Sequence, residues 1–212
     1  MRTILLSLVL LVTGASPASG RGALQAIDAA HRAGTLSDSE RLYYRVAAVR
    51  APHLLPEVYR NHGPDAAQSL TSVLVDAFQR LRRMAVPERG ELRNLLLPPP
   101  DLAYTIDATG VYPIRVSYAV PSLAAKAQRV LEAAEVAYQT EVVDWGFWEP
   151  PIEPAAQLYR FYVMDASGAA GYTAPYEEND LTPHNDAYTY IVIDPDLDGV
   201  YLDTTVVHEF NH

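Results

Sequence analysis

Three consecutive prolines at residues 98–100 divide the sequence into two parts with different hydrophobic patterns. Proline cannot continue a helix, and a run of prolines favours a stiff, extended segment. Before this run, apolar residues recur at helical spacing, as they do over residues 70–81. After it, residues 114–120 alternate with the two-residue period of a strand. The sequence therefore predicts an α+β protein with a helical region at 21–97, called the leader below, and a mixed region at 98–212.

Caps, breakers and periodicity place the individual elements. In the leader we expect helices at 23–33, from the capping box of Ser37 and Glu40 through Val49, and from residue 64 or 65 to 84. In the mixed region we expect a strand at 114–120, followed by a long helix that is capped by Ser122 and reaches about residue 143. Two further strands, at 158–164 and 188–193, are expected on either side of a polar loop rich in Gly and Pro. A last helix begins at about residue 202. This order favours a small sheet packed on the long helix and the last helix.

The first twenty residues have the composition of a secretory signal peptide. Arg2 precedes a nine-residue apolar run at 4–12, and small residues at 15–20 offer a cleavage site. The run is too short to span a bilayer, which needs about 20 residues, so export is favoured over the alternative of an uncleaved anchor. We therefore expect a secreted or periplasmic protein with no stable membrane association after cleavage. Because the chain has no cysteine, its stability must come from its core and from any bound metal ions rather than from disulfides.

Charge is distributed unevenly along the chain. Residues 21–100 carry eleven Lys/Arg and eight Asp/Glu, whereas residues 101–212 carry four and eighteen, which gives +3 and −14. The acidic second part argues against nucleic acid as a partner, because phosphates would repel it. The same asymmetry suggests that the leader docks on the acidic region as an inhibitory prosegment.

Residues 208–212 read His-Glu-Phe-Asn-His, an HExxH motif. On a helix, His208 and His212 differ by only about 40° in direction and about 6 Å along the axis, so both imidazoles can reach one ion. Neutral imidazole nitrogens are zinc ligands, and catalytic zinc sites leave one position for water. Glu209 follows the first ligand and would act as the general base for that water. The alternative is a surface helix that carries these three residues by chance.

The motif and its surroundings resemble secreted bacterial zinc metalloproteases of the zincin group, in a gluzincin-like form. The likeness covers the signal peptide, the leader, the predicted strands, the loop at 171–173 and the long helix. It implies an endopeptidase acting on protein or peptide substrates, with Zn²⁺ held by His208 and His212 and with Glu209 as the catalytic base. It also implies that the strand before the motif pairs with an extended substrate, which makes Tyr188, Tyr190 and Ile191 candidate substrate-binding residues. An ordinary buried strand is the alternative for 188–193.

The third zinc ligand is the part of this pattern that the sequence does not show. Zincins similar to thermolysin take a Glu from a later helix as the third ligand, whereas metzincins use a third His six residues after the second, and the sequence shows neither. We therefore expect residues 98–212 to be the upper, N-terminal part of a metalloprotease catalytic domain, and the 212-residue polypeptide to be inactive alone.

Two further features carry weaker predictions. Asp194, Asp196 and Asp198, followed by Gly199, match the first half of an EF-hand loop, but Thr205 stands where a bidentate Glu belongs. A Ca²⁺ site therefore competes with an Asp-rich turn between strand and helix. His184, in the polar loop, is the one other histidine that we consider a candidate for the site.

A non-enzymatic function is the competing hypothesis. In it the protein is a secreted binding module whose HExxH motif is degenerate or accidental, and it predicts no zinc uptake.

Overall fold

The computed structural model describes residues 22–62, 70–81, 83–84, 86–100, 102–109, 112–154, 157–182 and 186–212, without the side chains of 86–88. The predicted signal peptide at 1–20 and His184 lie outside the described residues. In the described part of the chain, no helix is long and apolar enough to cross a membrane.

Helices dominate the first part of the chain, and strands appear after residue 100. The described α-helices are α1 (Ala23–Arg32), α2 (Asp38–Arg50), α3 (Glu57–Arg60), α4 (Leu70–Leu81), α5 (Val86–Leu96), α6 (Ala124–Tyr138) and α7 (Gly199–Phe210). Short 3₁₀ turns at Pro52–Leu54 and Pro121–Leu123 and a π-helical segment at Gln139–Asp144 accompany them. The strands are β1 (Tyr104–Asp107), β2 (Ile114–Tyr118), β3 (Tyr159–Val163), β4 (Gly171–Glu178) and β5 (Ala187–Ile193).

The five strands form one mixed sheet in the order β1-β2-β3-β5-β4. The three inner strands are parallel, and β1 and β4 are antiparallel edge strands. Side chains alternate between the two faces of a strand, so Phe161 and Tyr162 of β3 enter different cores. The predicted α+β class is confirmed.

One face of the sheet is covered by α6 and α7. Helix α6 connects the parallel strands β2 and β3, as a crossover between parallel strands requires. The helices pack against each other and enclose a core of aliphatic and aromatic side chains: Ile114, Val116, Val130, Leu131, Ala134, Phe161, Ile191, Ile193, Leu202, Val206 and Phe210. The predicted packing of a small sheet on these two helices is therefore observed.

The other face is covered by the leader. Its helices share one core with the sheet, formed by Leu24, Leu42, Val46, Val49, Val73, Leu74, Leu92, Leu96, Tyr162, Tyr172, Tyr190 and Val192. Fully burying one such side chain stabilises a fold by about 1.5–3 kcal/mol. The leader and the mixed region are thus held together mainly by apolar contacts.

Arg50, at the end of α2, adds polar contacts to this interface. Its guanidinium donates to the Tyr172 hydroxyl at 2.7 Å and to the carbonyls of Leu95 and Leu97 at 3.1 and 3.0 Å. Its Cζ also lies 5.1 Å from the centroid of the Tyr190 ring, a distance at which a cation and an aromatic face attract. Arg50 therefore links α2, the end of α5 and the sheet.

Some elements differ from those predicted. The capping box of Ser37 and Glu40 is present, but α5, β1 and β4 were not expected. The predicted polar loop contains β4, in which five consecutive residues from Tyr172 to Tyr176 are buried. Burial on both faces removes the alternation that identifies a strand, and Pro175 sits at a register irregularity of an edge strand, where proline is tolerated.

The ends of the long helix and of the motif helix also differ. Leu123 rather than Ser122 is the N-cap of α6, because a 3₁₀ turn precedes it. Helix α7 begins at Gly199, three residues before the expected start, and Gly199 has a φ of +59°. Because α7 ends at Phe210, His208 and Glu209 lie in its last turn, Asn211 is its C-cap, and His212 follows directly after it.

Candidate metal centre

The motif residues owe their positions to the apolar face of α7. Leu202, Val206 and Phe210 are buried at i, i+4 spacing against the sheet. This fixes the rotation of the helix, so that Glu209 is buried, with 5% of its surface exposed, while His208 and His212 are exposed. The two imidazoles thus lie at the surface of the domain, and the carboxylate lies beneath them.

The geometry of the two histidines fits a tetrahedral metal ion. Their Nε2 atoms are 3.3 Å apart, and one ligand atom from each of His208, Glu209 and His212 lies within 4.8 Å of the others. Two nitrogens that bind one zinc ion tetrahedrally at 2.0–2.1 Å are about 3.3–3.4 Å apart. Two imidazole nitrogens at this distance either form an N–H···N hydrogen bond or bind one cation between them. Among the described residues, no further His, Cys, Asp or Glu joins this cluster.

Glu209 is held by two threonine hydroxyls from distant parts of the chain. Thr71 Oγ1 of α4 donates to Glu209 Oε2 at 3.1 Å, and Thr173 Oγ1 of β4 lies 3.1 Å from the same oxygen. Thr173 Oγ1 is also 2.7 Å from the backbone carbonyl of Glu209. The Thr173 N–H donates to Thr71 Oγ1 at 3.0 Å, which closes the network. Thr71 thus donates to the carboxylate, whereas the single hydroxyl proton of Thr173 is shared between the carboxylate and the closer backbone carbonyl.

The second oxygen of this carboxylate is not engaged in the same way. Glu209 Oε1 accepts no hydrogen bond from a described residue, whereas Oε2 is close to both hydroxyls. Glu209 also lines a small cavity together with His208. The arrangement leaves one carboxylate oxygen available for another donor.

The strand predicted to pair with the substrate is not an edge strand. Tyr188, Tyr190 and Ile191 belong to β5, which is hydrogen-bonded on both sides, to β3 and to β4. Their exposed fractions are 6%, 0% and 0%, so the alternative of an ordinary buried strand is correct. The edge beside the motif helix is β4, and at Thr173 its N–H is already bonded to Thr71.

Two cavities flank the motif. The larger, about 850 Å³, is lined by His212, Thr173 and Phe210 among others. The smaller, about 450 Å³, is lined by His208 and Glu209. The start of α4 lies between them, because Thr71 lines the larger cavity and Leu70 the smaller.

Two ionisable groups of the larger cavity have shifted pKa values. Burial raises the pKa of Tyr159 to about 12, with the hydrogen bond to Thr189 opposing the shift and the charge of Glu209 adding to it. Burial also raises the pKa of Glu141, against the opposing effect of a hydrogen bond from Asn211. Tyr159 is therefore a neutral phenol at physiological pH.

The functional candidates that the sequence did not identify are Thr71, Thr173 and Glu141. Their partners are up to 138 residues away, so no local pattern reveals them. For two of these residues the sequence contains a weak indication of burial. Thr71 lies on the apolar stripe of α4, three residues before Leu74, and Glu141 continues the stripe of α6 three residues after Tyr138.

The predicted calcium loop is engaged in contacts of its own. Lys126 Nζ donates to the carbonyls of Pro195 and Leu197 and lies 3.0 Å from Asp198 Oδ1. The Asp194 carboxylate accepts from the N–H groups of Ala166 and Asp196 at 3.0 and 2.9 Å. These oxygens are the ligands that Ca²⁺ would need, so the contacts favour the turn.

Comparisons with family models, with curated proteins and with solved structures gave no match.

Proposed function

We propose that this protein is a zinc-dependent endopeptidase of the zincin type, exported through its N-terminal signal peptide. The observation that carries the proposal is the 3.3 Å separation of the His208 and His212 Nε2 atoms, with the Glu209 carboxylate in the same cluster. The fold supports it as well, because a mixed sheet with an antiparallel edge strand lies beside a motif helix and a long helix. A third protein ligand is expected from outside the described residues.

The roles of the three motif residues follow from their chemistry. His208 and His212, as neutral imidazoles, hold the metal. When bound, zinc supplies Lewis acidity toward water and toward a substrate carbonyl. Glu209 Oε1 accepts a proton from the attacking water while the water oxygen bonds to the carbonyl carbon. The carboxyl then passes this proton to the amide nitrogen as the C–N bond breaks. The products are an amine and a carboxylic acid, and the acid gives its remaining proton to the amine or to solvent.

Thr71 and Thr173 are positioning residues in this scheme. They hold Oε2, which fixes the carboxylate plane and directs Oε1 away from them. A base must be kept within hydrogen-bond reach of the proton that it takes. A peptide substrate would pair with β4 through backbone groups other than the Thr173 N–H, which Thr71 occupies.

The inhibitory role of the leader stays a prediction. Its contact with the sheet is mainly apolar, and a charged contact across it, Arg93 to Glu177 at 3.1 Å, is exposed at both ends. Exposed ion pairs contribute little to stability. The docking of the leader therefore does not depend on the charge asymmetry that suggested inhibition.

Zinc binding by the full chain is the first test. One zinc per chain is expected by elemental analysis after dialysis, and His208→Ala or His212→Ala should each weaken zinc binding by at least about ten-fold. His53→Ala is the matched control, because His53 is exposed on a 3₁₀ turn of the leader. The absence of stoichiometric zinc, or an equal effect of His53→Ala, would overturn the proposal.

Hydrolysis is the second test. In a protein that supplies the third zinc ligand, Glu209→Gln should retain zinc and lose casein hydrolysis, since glutamine keeps the shape of the side chain but cannot accept the proton. Retained hydrolysis would refute the general-base role.

The binding-module alternative has one observation in its favour. The hydrogen bonds of Glu209 to Thr71 and Thr173 are also those that a purely structural buried glutamate would require. In that case zinc would not bind, and Glu209→Gln would change stability alone.

A further inference from the structure

We propose that the larger cavity beside His212 binds an arginine or lysine side chain of a peptide, with Glu141 as its anionic anchor. The placement of this subsite next to a scissile bond rests on the proposed function. The binding itself does not require hydrolysis, so the two can be tested separately.

Glu141 is a buried carboxylate with an unused oxygen. Only 4% of its surface is exposed, and one oxygen, Oε1, accepts from Asn211 Nδ2 at 2.8 Å. Its other oxygen accepts no hydrogen bond from a described residue. This oxygen is not among the fully enclosed atoms without a partner in the described chain, so it keeps some accessible surface, and Glu141 lines the larger cavity. A cationic donor in the cavity would form a charge-assisted hydrogen bond with it, which is about twice as strong as a neutral one.

The π-helical segment explains why a charged side chain points inward here. It continues α6 over Gln139–Asp144, and the Trp145 N–H bonds to the Thr140 carbonyl five residues back. Glu141 is buried in this segment, while Val143 and Asp144 are exposed. Such wide turns inside helices occur frequently at functional sites. The local distortion thus directs a carboxylate into the cavity.

The other acidic groups of the cavity are more accessible to solvent. Glu149 is exposed, and the half-buried Asp186 accepts hydrogen bonds from Thr182 and Asn179. Both nevertheless add negative charge to the lining. Among the described lining residues, Arg83 is the only Arg or Lys. The cavity is therefore acidic, and of its described acidic lining residues Glu141 is the buried one.

The apolar residues that line the cavity favour a ligand side chain with an aliphatic stem. Phe78, Phe147, Trp148 and Phe210 line the same cavity. Arginine and lysine bury an aliphatic stem along apolar surface and keep the charge at the tip, and aromatic faces attract that charge. A volume of about 850 Å³ is within the range of ligand pockets. An acidic side chain would meet like charge, and a purely aliphatic one would offer no donor to the second oxygen of Glu141.

Binding of two matched peptides tests this subsite. Calorimetry would compare acetyl-Ala-Arg-Ala-amide with the same peptide carrying norleucine in place of arginine. The arginine peptide should bind the full chain at least about ten-fold more tightly, the value expected for one charge-assisted hydrogen bond. Glu141→Gln should remove this preference, and Glu149→Gln, the matched control on the same lining, should retain most of it. Circular dichroism and thermal melting would confirm that each variant is folded.

The outcomes separate this inference from the proposed function. Equal binding of the two peptides, or an unchanged preference in Glu141→Gln, overturns the subsite. A preference that persists in Glu209→Gln, or in a protein that binds no zinc, supports the subsite even where the peptidase proposal fails. Hydrolysis without any preference for arginine or lysine would leave the peptidase standing and refute the subsite.

Discussion

The most demanding prediction concerns Thr71, because one hydroxyl in the leader has two buried partners near the motif. Thr71→Val removes the hydroxyl while almost preserving the shape of the side chain, and Thr71 is only 4% exposed. The Thr173 N–H then loses its acceptor, and Glu209 Oε2 loses one of its two hydroxyl neighbours. An unsatisfied buried group costs about 1–3 kcal/mol, so the free energy of unfolding should fall by about 2–4 kcal/mol in total.

Chemical denaturation and thermal melting measure this change. For a chain of this size, the loss corresponds to about 5–15 °C in melting temperature. Thr105→Val is the control, because Thr105 is exposed on β1 and should change stability by no more than about 0.5 kcal/mol. In a Glu209→Ala background the effect of Thr71→Val should shrink by about 1–2 kcal/mol, since the two residues are in contact. A Thr71→Val variant as stable as the Thr105→Val variant, or fully additive effects, would refute the network.

Three further predictions concern the leader. Arg50→Met should lower the free energy of unfolding by about 2–4 kcal/mol, because three hydrogen bonds to the sheet and to the end of α5 are lost. In the same denaturation assay, Arg32→Met, at an exposed position, should leave the free energy of unfolding unchanged. Burial alone would raise the pKa of Asp28, but the hydrogen bonds and charges of Arg41 and Arg45 hold this pKa below its usual value. The ion pairs therefore stabilise the fold at pH values above the pKa of Asp28 in the unfolded chain, and this stabilisation is lost as the pH falls through the pKa of Asp28 in the folded protein. In Asp28→Asn, the free energy of unfolding should therefore fall less steeply below about pH 4. An unchanged decrease in this variant would contradict the ion pairs. Removal of the leader should expose the apolar face of the sheet and abolish cooperative unfolding of residues 98–212, and a sharp melting transition of that fragment would show that the leader is dispensable for folding.

The features that the sequence predicted correctly are those set by local periodicity and spacing. The capping box of Ser37 and Glu40, the long helix and the sheet-on-helices arrangement each depend on residues close in sequence. The juxtaposition of His208 and His212 is of the same kind, because a single helical turn brings them together. Neither zinc nor hydrolysis follows from that spacing alone, and both stay proposals.

The features that the sequence missed depend on burial from both sides and on the order of strands. Strand β4 is a continuous buried run that includes Pro175, so its sequence lacks the alternation of a strand and predicts a loop. Without β4, the sequence predicts β5 as the edge strand. The order of strands in the sheet depends on which strands pair and which faces are covered by helices. The spacing of apolar residues along the sequence does not specify these contacts.

The sequence by itself determined that two imidazoles and a carboxylate would lie within one turn of chain at the end of a helix, because residues four apart in a helical turn point the same way. Only the tertiary structure decided what surrounds them. The threonines that hold Glu209, the edge strand beside it and the inward-facing Glu141 come from segments far apart in the chain. They meet because the leader and α6 must bury their apolar stripes on opposite faces of the same sheet, and that packing carries the polar residues within the stripes to the site.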